Sequence, residues 1–237
     1  MTQKQSRRLA GVVFVLVPIL INIPYGMLIA IFQYPDILRQ PAGVILARFH
    51  EGGPGLILTW WAFGFIGIPL IYSVIGLHSL LQREDTPYLL TGTTCGVISL
   101  IAQFLGLMRW TFVVPSLADA YVNPASSQAT RDAAIIAFQA IHQYGGVVVG
   151  EHIGQLFTVA WMFLVSAAMM KSTTFRPWLG WVGITGGVIY LLAQLELFAT
   201  VIPVIPVVSI AGLLGSLFWL IWLMLVGITM LRVRAGS

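Results

Sequence analysis

Three charged residues fall inside stretches too apolar to leave room for water: Arg109, Glu151 and Glu196. An ionised side chain about two turns below a bilayer surface costs roughly 2.5–3.5 kcal/mol on insertion scales, so each needs a partner or a purpose. His152 follows Glu151 directly, Gln155 lies one helical turn beyond at i, i+4, and Thr200 stands in the same relation to Glu196. With a rise of about 1.5 Å per residue, Glu151 lies about 10 Å, Glu196 about 9 Å and Arg109 about 12 Å outward of the middle of its span. One arginine cannot neutralise two carboxylates. The surplus charge is removed by protonating a glutamate, by charging His152, by a bound cation or by a water-filled vestibule. The first reading is therefore an outward-facing polar pocket made of Arg109, Glu151, His152, Gln155, Glu196 and Thr200, which binds an ion or a small amphipathic molecule in the manner of a transporter or receptor.

A second chemistry is metal ligation. His50, Glu51, His142, Glu151, His152 and Glu196 are nitrogen and oxygen ligands of the kind zinc and copper accept, and an open coordination position would make a metal-dependent, membrane-embedded enzyme. None of them has a diagnostic spacing such as His-Glu-x-x-His. An axial haem ligand at His78 would need a second histidine at similar depth on the same side, and none of the other histidines is placed there. No phosphate-cradling glycine loop, dinucleotide fingerprint, Gly-x-Ser-x-Gly elbow or mid-span lysine is present. Catalytic residues and cofactors stay unassigned. The third reading is an accessory or scaffold subunit in which the embedded charges form a purely structural ion-pair cluster.

The elements that must position these residues are long apolar runs. The chain has 237 residues, of which 58% are hydrophobic and 8% charged, which is the composition of an integral membrane protein. We expect an all-α polytopic fold forming one transmembrane domain, with six spans near residues 9–32, 55–81, 88–113, 147–170, 177–201 and 208–231. The first run, behind Lys4, Arg7 and Arg8, is too long for a signal-peptide core and reads as a retained span. Pro18, Asn22 and Pro24 predict a kink within it, and Pro69 another in span two.

Two short surface helices are expected on the extracytoplasmic side. One starts after Pro41 and ends at Gly52-Gly53, with Val44, Ile45 and Phe49 on one side; the other begins at Arg131-Asp132 behind Thr130 and breaks at Gly145-Gly146. Between span three and that second helix the chain reads as a long connection. Trp60 and Trp61 suit an interface belt, and Gly183 and Gly187 a close helix contact.

Lys4, Arg7, Arg8, Arg83, Lys171, Arg176, Arg232 and Arg234 fall on one side of this arrangement, against Arg39, Arg48 and Arg131 on the other, which predicts both termini in the cytoplasm. The net charge of +4 is scattered along the chain without interleaved aromatics, so nucleic acid is not an expected partner. The expected partners are the lipid bilayer, a small molecule or ion, and a protein partner or a second copy. Cys95, alone and mid-span, reads as a small packing residue.

Tyr34-Pro35-Asp36-Ile37-Leu38, Arg109-Trp110, Pro115 and Gly150-Glu151-His152-Ile153-Gly154 together resemble an uncharacterised family of bacterial membrane proteins, domain of unknown function 4386. The resemblance implies a six-span bacterial membrane protein. It supplies no activity, substrate or cofactor.

Overall fold

The computed structural model describes residues 2–232. Arg234, counted above among the inward cations, lies outside the described residues. Helices α1 (Gln3–Leu20), α2 (Asn22–Phe32), α3 (Ala42–Phe65), α4 (Leu70–Leu81), α5 (Leu89–Phe112), α6 (Val114–Val122), α7 (Gln128–Ile141), α8 (Gly154–Lys171), α9 (Pro177–Leu192), α10 (Gln194–Ala199) and α11 (Ala211–Arg232) follow one another, with a 3-10 turn at Asp36–Arg39 and a π-helix at His142–Ile153. Among the described residues, six helical stretches are long and apolar enough to cross a membrane: Gln3–Phe32, Ala42–Leu81, Leu89–Val122, Gln128–Lys171, Pro177–Ala199 and Ala211–Arg232. They contain the expected spans to within a few residues. The protein is an integral membrane protein, and lipid is its natural surrounding. Large apolar side chains such as Leu58, Leu90, Phe112 and Ile136 are accordingly exposed, which hydrocarbon tolerates and water does not.

The local breaks follow from side-chain and backbone chemistry. Pro18 lies inside α1, which gives way to α2 at Ile21. Gly53 adopts φ 55° and ψ −155°, a backbone that side-chain-bearing residues avoid, and so separates the first part of α3 from the rest where Gly52-Gly53 predicted a helix end. On that first part Ile45, Leu46 and Phe49 are buried, whereas Val44 points outward. Ser127, not Thr130, caps α7: its hydroxyl accepts from the Thr130 amide at 3.1 Å, so the helix starts earlier than expected. The expected long connection is shortened by α6, which Pro115 opens in the first turn, where a missing N–H costs nothing.

The chain divides into two compact units. The first comprises residues 1–19, 68–101 and 152–237, and the second residues 20–67 and 102–151. Within the first unit, small residues let helices approach. A Cβ on Gly227 would lie 2.7 Å from the Gly11 carbonyl oxygen, and the Gly183 and Gly187 positions are covered by Ser166, Trp222 and Phe163. Hydrogen bonds to backbone reinforce this packing, with Ser73 Oγ donating to the Ala10 carbonyl at 2.8 Å and Trp222 Nε1 to that of Leu179 at 2.9 Å. The core of the second unit is aromatic. Phe32, Phe49, Trp60, Trp110 and Phe138 are buried together, and Trp60 and Trp110 stack with ring centroids 4.8 Å apart. Trp60 thus belongs to a core and not to an interface belt, while its neighbour Trp61 is exposed.

Candidate functional site

Helix α5 and the π-helix present the polar centre of the second unit. Arg109 lies in the last turn of α5 with its residue 7% exposed, deeper than a guanidinium sits without compensation. Its Nη1 donates to the Gly106 carbonyl one turn back, and its Cζ lies 5.2 Å from the centroid of the Trp110 ring. The space it occupies exists because Gly146 has no side chain, since a Cβ there would fall 2.6 Å from Nη2 and 2.7 Å from Cζ. The two backbones approach closely beside it. A Cβ on Gly106 would lie 2.4 Å from Gly150 Cα and 2.9 Å from the Gly145 carbonyl oxygen. The Glu151 carboxylate and the Tyr34 hydroxyl act electrostatically on Arg109. Among the described residues, the buried Arg109 Nε has no hydrogen-bond partner, and neither do the indole nitrogens of Trp60 and Trp110 or Nδ1 of His142. His142 stacks on Phe138 at 5.4 Å and meets the Trp110 ring edge-on at 6.0 Å.

The π-helix was not expected. Gly145-Gly146 reads as a helix break, yet the helical path continues through it as i→i+5 turns. Arg109 lies against Gly146, and Gly106 against Gly150, so the glycines serve helix approach and not chain reversal. A π-helix also changes which side chains share a face, so the i, i+4 rule of an α-helix does not hold within it.

The first unit holds a second polar cluster. His152 Nδ1 donates to Gln194 Oε1 at 2.6 Å, and Gln194 Nε2 donates to Gln155 Oε1 at 2.7 Å, so one buried amide joins His152 and Gln155. The Phe198 ring lies edge-on to His152 at 5.4 Å. Glu196 is half-buried in the first turn of α10, and the Thr200 hydroxyl donates to the Leu197 carbonyl at 2.7 Å.

Of the residues singled out from sequence, the second unit therefore brings together Arg109 and Glu151, and the first unit His152 and Gln155. His50 pairs with Asp119 at 2.9 Å and Glu51 with Arg48 at 3.0 Å, both on exposed surface. His78 Nδ1 bonds the Thr93 hydroxyl at 2.8 Å, which gives it a local polar partner. Among the described residues, no three of the His, Cys, Asp and Glu side chains gather in a way that could hold a metal ion. Three participants were given no place in the site from sequence. Gln194 is an uncharged polar residue inside a span, a signal as legible as Glu196. Gly106 and Gly146 carried none beyond being glycines.

The family model described as Domain of unknown function (DUF4386) matches residues 9–227. Comparison with curated proteins finds no match. Comparison with solved structures finds none either.

Proposed function

The chain belongs to the family described as domain of unknown function 4386, and from that premise we propose that it is a bacterial inner-membrane protein that binds a small amphipathic molecule or ion at the buried charge centre around Arg109 and Glu151. The observation that carries this reading is the state of Arg109. An arginine 7% exposed, whose buried Nε has no hydrogen-bond partner among the described residues, leaves donor capacity that those residues do not use. Such a group is costly unless an acceptor reaches it, so a polar head or an ordered water completes the site. The surplus acid inferred from sequence is not required for this argument. Glu196 belongs to the first unit, and Arg109 has a carboxylate of its own unit acting on it in Glu151. The cluster of His152, Gln194 and Gln155 supplies a second place where a polar ligand of the same protein would find both donors and acceptors.

Native mass spectrometry of protein released from lipid nanodiscs tests the reading. We expect the wild-type chain to carry a small-molecule mass that Glu151→Gln and Arg109→Gln, each still folded, do not retain. A wild-type protein of bare mass, gaining no thermal stability from a panel of amphiphiles, would leave Arg109 and Glu151 as a structural ion pair.

Orientation is part of the same proposal. The described cations assigned to the cytoplasm, Lys4, Arg7, Arg8, Arg83, Lys171, Arg176 and Arg232, all belong to the first unit, while Arg39, Arg48 and Arg131 belong to the second. In a Cys95→Ala background, a membrane-impermeant maleimide added to intact cells should label Ser127→Cys and spare Ser172→Cys until the cells are permeabilised. The reverse pattern would invert the topology.

A further inference from the structure

A cleft of about 380 Å³ opens in the second unit, lined on its polar side by Gln40, Gln139, His142 and Gln143 and on its apolar side by residues that include Leu38 and Ile45. Its size falls within the ~300–1,000 Å³ of small-molecule sites. Two features define what it can take. The first is charge. No acidic, lysine or arginine side chain is among its lining residues, and the nearest cation in sequence, Arg39, is held by Asp36 at 2.8 Å. A phosphate or carboxylate would meet no lysine or arginine in the lining, and a cation no carboxylate. The second is the density of paired donors and acceptors. The exposed Gln40 and Gln139 amides each offer an NH2 and a carbonyl a short distance apart, and His142 adds an imidazole whose Nδ1 has no hydrogen-bond partner among the described residues.

Adjacent hydroxyl groups have that same alternation, with a C–H face suited to the aliphatic wall. From this we propose that the cleft formed by Gln40, Gln139, His142 and Gln143 binds an uncharged, hydroxyl-rich group, the chemistry of a sugar or polyol. The group arrives either free in solution or as the head of a glycolipid. The Trp110 ring, 6.0 Å from that of His142, is a built-in reporter. This inference does not rest on the Arg109 centre, and its test uses other residues and other probes.

The experiment uses the full chain in phosphatidylcholine nanodiscs, prepared without sugar-headed detergent. Methyl glucoside and trehalose are added in solution in one arm, and a monoglucosyl diacylglycerol is built into the bilayer in the other. Binding is read as a change in tryptophan emission and a rise in the thermal midpoint. We expect one arm to bind, and Gln40→Ala/Gln139→Ala, both at exposed positions, to weaken that binding about tenfold, the loss expected for two ordinary hydrogen bonds. Response in the first arm names a soluble sugar and response in the second alone a glycolipid. Silence in both arms, or equal binding by the double variant, would overturn the assignment. So would displacement of the sugar probe by inorganic phosphate.

Discussion

Arg109→Met is expected to destabilise the protein by about 1.5–3 kcal/mol, because it removes a charge-assisted hydrogen bond to the Gly106 carbonyl and the cation that acts electrostatically on the Glu151 carboxylate. Methionine fills much of the same length but cannot donate to the Gly106 carbonyl or oppose the Glu151 carboxylate. Adding Glu151→Gln to that chain should recover part of the loss, since the stranded charge goes with it. A double-mutant cycle, measured by reversible unfolding in mixed micelles, reads the coupling directly. Two effects that simply add, to within about 0.5 kcal/mol, would mean that Arg109 and Glu151 do not interact.

The second large effect belongs to a residue with no chemistry of its own. Gly106→Ala should cost at least ~3 kcal/mol, at or above the usual range for overpacking, because the new methyl group meets backbone and not a side chain that can swing away. Its nearest neighbours would be Gly150 Cα at 2.4 Å and Gly150 N at 2.9 Å. Gly150→Ala should cost less, since its Cβ would stand 3.1 Å from Gly106 Cα. Gly26→Ala is the control. It is exposed on α2 with no heavy atom within 4 Å of the added carbon, and helix propensity alone predicts no loss and a gain of up to ~1 kcal/mol. The expected order of unfolding midpoints is Gly26→Ala, then Gly150→Ala, then Gly106→Ala. Any other order would mean that the α5 contact with the π-helix does not hold Arg109 in place.

Both effects trace back to one local arrangement. Gly106 sits one turn before Arg109 on α5, and Gly146 and Gly150 lie on the π-helix that also carries Glu151. Closeness of the two backbones sets the guanidinium against Gly146 and beside the stacked indoles of the aromatic core. The burial of Arg109 follows from that approach, which is why a glycine and an arginine should share the largest losses.

The amino-acid sequence by itself determined the six helices long and apolar enough to cross a membrane and the breaks at Pro18 and Gly53. Those features depend on runs of apolar residues, on proline's missing N–H and on glycine's freedom at positive φ, all of which are local. Only the tertiary structure decided which polar groups meet. Depth along a helix is counted residue by residue, whereas direction around it depends on what packs alongside and is reset by every turn that departs from α geometry. Gly145 and Gly146 read as a break and became part of a π-helix against α5. Trp60 read as a membrane-surface anchor and became the stacking partner of Trp110. Gln155 read as one of the embedded polar residues and became a hydrogen-bond partner of Gln194, which lies 39 residues further along the chain.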